Sequence, residues 1–200
     1  MSVYTELEVV NDLIGSIGER PVNALSDPRP LVAIARARLK EANAREQSKG
    51  WWFNTELVSL APTTSGEVIL PEGTLKVDPT DTTLNYLQRA GKLYNMAAGD
   101  ADPYNIGASV DVTLVRLVPF ADIPAPAQVA IAAAAKLFFL QGQDGDTDKI
   151  SLAMKAYQDA TVELRAEHTR AIDANLLRSP SFVRTYSSLY SGGVGRLLVR

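Results

Sequence analysis

Val10, Leu13, Ile14 and Ile17 recur at i, i+3, i+4 and i+7, which predicts an amphipathic helix that Gly18 and Pro21 stop. A turn-rich stretch with Ser26, Asp27, Pro28 and Pro30 follows. A second helix is predicted from Pro30, since proline suits a first helical turn, to about Lys49, with Gly50 just past its end. Its inward face reads as Leu31, Ile34, Leu39 and Ala42, and its outward face as Arg36, Lys40, Glu41, Arg45 and Glu46. Helical periodicity then disappears. Short β-like runs at 57–60, 67–70, 74–77, 83–87, 92–96 and 109–118 alternate with proline and glycine breaks, the pattern of an antiparallel sheet or small barrel. In the last run Val110, Val112 and Leu114 alternate with Asp111 and Thr113. Val115 and Leu117 then make both faces apolar, so the strand is predicted to end doubly buried. Helical pattern returns with an alanine-rich helix over 127–141, opened by Pro124 and Pro126. A long helix over 146–177 carries Ile150, Met154, Tyr157, Thr161, Leu164, His168 and Ala171 as one stripe.

These elements predict an α+β protein: a bundle of about four helices with an antiparallel β-rich insertion and an extended C-terminal arm. Residues 1–54 and 121–178 make the helical body, 55–120 the insertion and 179–200 the arm. The arm has Arg184, Arg196 and Arg200 and no acidic residue, and it is rich in glycine and serine. Its Phe182, Tyr186, Leu189, Tyr190, Leu197 and Leu198 are too apolar for a solvated tail, so it reads as a segment that orders on a partner. The adjacent Trp51, Trp52 and Phe53 cannot all share one face of a regular element. They either cap the core or divide between core and a contact surface, where aromatic anchors are common.

Composition narrows the chemistry. The 200 residues are 46% apolar, enough for a sizeable core. Twenty basic residues against 23 acidic ones give a net charge of −3, without the basic footprint of a nucleic-acid binder. The chain has no cysteine and one histidine, which excludes a disulfide framework and a multi-histidine metal site. The N-terminus, with Glu6 and Glu8, lacks the basic and apolar regions of a signal peptide. The most apolar window, 129–140, is interrupted by Lys136 and falls short of a bilayer span, so no membrane association is expected.

Candidate catalytic patterns are weak. A triad needs a histidine base, and His168 sits on the inward stripe of the long helix, where a satisfied core or interface histidine is the better reading. Asp144, Asp146 and Asp148 have the spacing of a calcium loop. Lys149 and Lys155 occupy the places where such a loop needs glycine and glutamate, so Asp146 or Asp148 is predicted to cap the long helix instead. Neither a Walker A loop nor G-x-G-x-x-G occurs. Asp100 and Asp102 lie on a loop and could line a cleft, which keeps a carbohydrate-cleaving enzyme as the rival reading. No catalytic residue, cofactor or metal is assigned.

Two segments carry a resemblance. Residues 10–22, VNDLIGSIGERPV, and residues 47–54, QSKGWWFN, resemble the two signatures of the tail tubular protein A family, the head-to-tail adaptors of short-tailed, podovirus-type bacteriophages. The spacing between them matches, as do the β-rich middle, the two following helices and an ending similar to Leu-Leu-x-Arg, here Leu197 to Arg200. The matching positions are Asn11, Asp12, Gly15, Gly18, Pro21, Gly50, Trp51, Phe53 and Asn54. The middle, 55–120, departs freely from the family pattern. The resemblance implies a non-enzymatic structural virion protein, made in the host cytoplasm and placed in the virion tail. It implies a dodecameric ring below the portal protein, with the arm reaching the portal. The tail nozzle (tail tubular protein B) and tail fibres are the other partners implied, and DNA passes through the channel during ejection without specific binding. Another head-completion connector is the alternative within this class.

Overall fold

The computed structural model of the protein describes residues 4–178, with side chains as far as Asp173. Helix α1 (Glu6–Gly15) opens with a capping box. The Thr5 hydroxyl accepts from the Glu8 N–H at 3.2 Å, and the Glu8 carboxylate accepts from the Thr5 N–H at 2.7 Å. It buries Val9, Val10, Leu13 and Ile14. Its end tightens into a left-handed cap at Gly18 (φ +84°). There the Gly18 N–H donates to Gly15 O at 3.0 Å and the Glu19 N–H to Ile14 O at 3.2 Å, so the stop predicted at Gly18 forms.

Helix α2 (Pro30–Gln47) begins at the predicted proline. Its buried face is Val32, Ala35, Leu39, Ala42, Glu46 and Gln47, with Leu31 and Ile34 half-buried beside it. The expectation that Glu46 faces outward is therefore corrected. Periodicity alone places a charge outside, whereas here Lys49 and Tyr157 supply it with partners inside.

Helix α3 (Ala125–Gln143) is the centre of the bundle and packs on α1, α2 and α4 (Thr147–Arg178). Ala127, Ala130, Ala134 and Ala135 are fully buried and let the neighbouring helices approach closely. By length and composition α3 could cross a membrane, but half of its apolar window is covered by the rest of the fold. Asp146 caps α4, accepting from the Asp148 and Lys149 N–H groups at 2.9 and 3.2 Å. The inward stripe of α4 runs through Ala153, Ala160, Thr161 and Leu164, with Ile150, Tyr157 and His168 half-buried. Met154 is 42% exposed, a correction to the predicted stripe, because the small Ala153 takes the inward place against α3.

Between α2 and α3 lie five strands. In the three-stranded sheet β5 (Val110–Arg116) runs between β1 (Thr55–Leu60) and β2 (Thr74–Pro79), antiparallel to both. Strands β3 (Tyr86–Arg89) and β4 (Lys92–Asn95) form a hairpin. These strands have their own core of Leu60, Val68, Leu70, Val77, Leu93, Val110, Val112 and Leu114, separate from the core of the helices. The run predicted at 67–70 is not a full strand. It makes isolated bridges, Glu67 with Asn105 and Ile69 with Lys92, before Pro71 removes the next donor. The run predicted at 83–87 becomes strand only at Tyr86, since the Asp81 carboxylate holds the Thr83 N–H and hydroxyl in a turn. In β5, Leu114 and Val115 are buried on opposite faces as expected, but Leu117 is 36% exposed, so double burial ends before it.

Candidate functional site

The residues of the second signature segment gather where the helices join the sheet. The chain leaves α2 through Gly50 in a left-handed conformation (φ +77°), and a Cβ there would stand 3.3 Å from Val115 Cγ2. This turn drops Trp51 into the helical core, 5% exposed, with its indole N–H donating to Glu46 O at 2.8 Å. Asn54, fully buried, closes the turn. Its Oδ1 accepts from the Trp51 N–H at 2.8 Å, and its Nδ2 donates to Gln47 O and Arg116 O, both at 2.9 Å. Three aromatics in succession thus divide as their crowding requires. Trp51 is core, while Trp52 and Phe53 are half-buried and meet edge to face at 5.2 Å.

Gln47 completes the junction. Its side chain accepts from the Val118 N–H and donates to Val118 O, both at 2.8 Å, and also donates to Asn43 Oδ1 at 2.8 Å. Glu46 turns the other way, toward α4. It accepts from Lys49 Nζ at 2.7 Å and from the Tyr157 hydroxyl at 2.7 Å. Partial burial works against the Lys49 charge, but its bonds to Glu46 and Tyr157 outweigh this and hold the ammonium above its ordinary value. Sequence reasoning missed Glu46 and Gln47 as positioning residues. Their signal was a pair of polar residues on the last turn of a helix that otherwise buries this face, with Gln47 also opening the second signature segment.

The first signature serves the same end at α1. Asn11 clamps the backbone of Val22 with both ends of its amide, at 3.0 and 2.7 Å, and folds the loop after α1 against it. Asp12 pairs with Lys136 of α3 at 2.9 Å. Gly15 ends α1 with open space around it, and Pro21 is exposed, its carbonyl accepting from Arg29 at 3.3 Å. Every one of these positions shapes backbone or packing, and none presents a reactive group. Among the described residues no buried side-chain polar atom lacks a partner.

The catalytic candidates stay apart from one another. His168 Nδ1 accepts from the Trp52 N–H at 3.2 Å, and its ring meets Trp51 edge to face at 5.4 Å, which makes it a satisfied histidine in a structural role. Asp100 and Asp102 are exposed, and Asp102 accepts from the Tyr104 N–H at 3.0 Å to hold a turn. Among the described residues no three histidine, aspartate or glutamate side chains are placed to hold a metal ion. Phe182, Arg184, Tyr186, Leu189, Tyr190, Arg196, Leu197, Leu198 and Arg200 of the arm lie outside the described residues.

The surface instead offers clefts. One, about 550 Å³, runs between α2 and the connector from β5 to α3. Ala33, Leu39, Pro119 and Phe120 line it with Arg36, Lys40 and Glu6.

Comparison with known proteins agrees with this picture of a structural protein. Tail tubular protein A of Klebsiella phage KP34 is 26% identical over 166 residues, which cover 82% of this chain and 87% of that relative. The profile of the family described as tail tubular protein matches residues 7–174, which include both signature segments, all of α2 and α3 and most of α1 and α4. The chain therefore belongs to the tail tubular protein family, structural components of bacteriophage tails.

Proposed function

We propose that this protein is a head-to-tail adaptor: a ring of twelve copies that joins the portal to the tail nozzle and forms part of the channel through which DNA leaves. The observation that carries the proposal is the junction at Gln47 and Asn54. Two separately packed cores are locked by buried side-chain amides, which suits a rigid building block with distinct surfaces for distinct neighbours. In this reading residues 1–54 and 121–178 are the adaptor body, 55–120 the inserted unit and 179–200 the arm that reaches the portal. Tail fibres are a further neighbour, and assembly takes place in the host cytoplasm. The net charge of −3 per copy, repeated around a ring, favours free passage of DNA over counterion-releasing contacts with its phosphates. No catalytic step is needed.

The test is the mass and symmetry of the purified protein, alone and mixed with a portal ring, read by light scattering and electron microscopy. A twelvefold ring formed alone or captured on the portal supports the adaptor. A monomer that ignores the portal overturns it. In that case a reducing-sugar assay on the wild type and on Asp100→Asn and Asp102→Asn decides for or against a carbohydrate-cleaving enzyme. Capture on the portal with another symmetry indicates a different head-completion connector.

A further inference from the structure

The cleft between α2 and the β5–α3 connector is built for an acidic and apolar guest. Arg36 and Lys40 stand one helical turn apart on its wall, with Ala33 and Ala37 leaving room between them. Among the described residues neither cation meets a carboxylate. Arg36 donates only to Leu25 O at 3.4 Å, and Lys40 makes no hydrogen bond or ion pair among the described residues. The floor is apolar, with Leu117 36% exposed beside Pro119 and Phe120. One acid, Glu6, lines it as well, against the two cations.

The same chain carries a segment of that chemistry. Residues 96–102 form a loop after β4 that holds Met96, 58% exposed, together with Asp100 and Asp102, and no basic residue. The loop is shaped in advance. The Met96 N–H donates to Asn85 O at 2.9 Å, the Ala101 N–H to Ala98 O at 3.1 Å, and Asn95 Oδ1 holds the Ala97 N–H at 2.9 Å. None of its residues lines the cleft of its own copy. The cleft adjoins the chain just after β5, whereas the loop leaves the β3–β4 hairpin at the end opposite its turn at Ala90 and Gly91, and the Gln88 side chain ties that hairpin to Thr74 O of β2 at 3.3 Å.

We propose that the cleft receives the 96–102 loop of a second copy, with Met96 against Leu117 and Phe120 and the carboxylates of Asp100 and Asp102 facing Arg36 and Lys40. Two different surfaces meet in such a contact, so it repeats from copy to copy and closes into a ring when the rotation allows. The inference rests on the ring reading above and names one of its interfaces. It also gives Asp100 and Asp102 a use that involves no chemistry.

The absence of cysteine makes the test direct. Full-length Ala37→Cys and Ala98→Cys proteins are mixed under mild oxidation, with Ala37→Cys and Ser59→Cys as the control pair. Docking raises the local concentration of the paired thiols, so the 37–98 disulfide dimer is expected on the order of tenfold above the control. Arg36→Glu with Lys40→Glu should abolish this excess, and Asp100→Lys with Asp102→Lys on the partner should restore it. Equal yields for the two pairs overturn the contact. The mass of the wild type, read alongside, separates the two ideas. A ring, formed alone or captured on the portal, without the 37–98 excess keeps the adaptor and removes this interface, whereas a monomer that ignores the portal and shows no excess removes both.

Discussion

The amide of Gln47 grips the backbone of Val118 with both ends, donating to its carbonyl and accepting from its N–H at 2.8 Å each. The two residues are 71 positions apart and bracket everything between α2 and the connector to α3. This pairing does for a loop what a strand ladder does for a sheet. Replacing Gln47 with leucine keeps the bulk but leaves Val118 without either bond. The expected cost is about 1–3 kcal/mol, because buried polar groups lose their partners. Urea unfolding measures it, and faster hydrogen exchange at Val118 in the folded protein identifies the junction as the part that loosens.

Trp51 and Trp52 should behave differently although they are neighbours. Trp51→Ala empties a core site and removes the bond to Glu46 O, with a loss of roughly 3–5 kcal/mol. Trp52→Ala should cost clearly less, since Trp52 is half-buried and its link to His168 runs through its backbone N–H. Equal losses in thermal unfolding would contradict this division of the aromatic triplet.

The signature glycines also separate. Gly50→Ala forces a side chain into a left-handed turn against Val115 and should destabilise by about 1–2 kcal/mol. Gly15→Ala meets nothing within 4 Å in a helical residue and should be neutral or stabilising by up to about 1 kcal/mol. A Gly15→Ala protein that folds normally but no longer assembles would place Gly15 on a contact surface.

Acid should weaken the start of α1. The hydrogen bonds from the Thr5 backbone N–H and hydroxyl hold the Glu8 carboxyl below its ordinary value of 4.5. A carboxyl lowered in the folded state binds fewer protons there than when unfolded. Its contribution is therefore complete above about pH 4.5 and fades as pH falls through the lowered value. Glu8→Gln should flatten this part of the stability profile, which thermal melts through the acid range would record.

Deleting residues 179–200 should leave a folded protein that no longer binds a portal ring. The described residues already build one core for the helices and one for the strands. Loss of the circular-dichroism melt on truncation would show that the segment belongs to the fold, and retained portal binding would show that it is not the arm.

The helices and their ends were legible in the sequence because local physics sets them. A 3.6-residue stripe, a proline in the first turn, Asp146 at a cap and a glycine at a C-terminus act within a few residues. The two signature segments were legible as well, and so was the family. Which way each helix turns its polar residues was not. Glu46 went inside because Tyr157, on a helix more than a hundred residues away, meets it there, and Met154 turned outward because Ala153 fits closer to α3. The run at 67–70 likewise had strand chemistry, but only bridges formed, since its neighbours Asn105 and Lys92 arrive from separate segments. The order of elements, their caps and the small-residue centre of α3 follow from local pattern alone. The tertiary structure decided the junction of Gln47, Asn54 and Val118 and the cleft beside it. Those depend on side chains meeting backbone across long loops, and periodicity carries no information about such meetings.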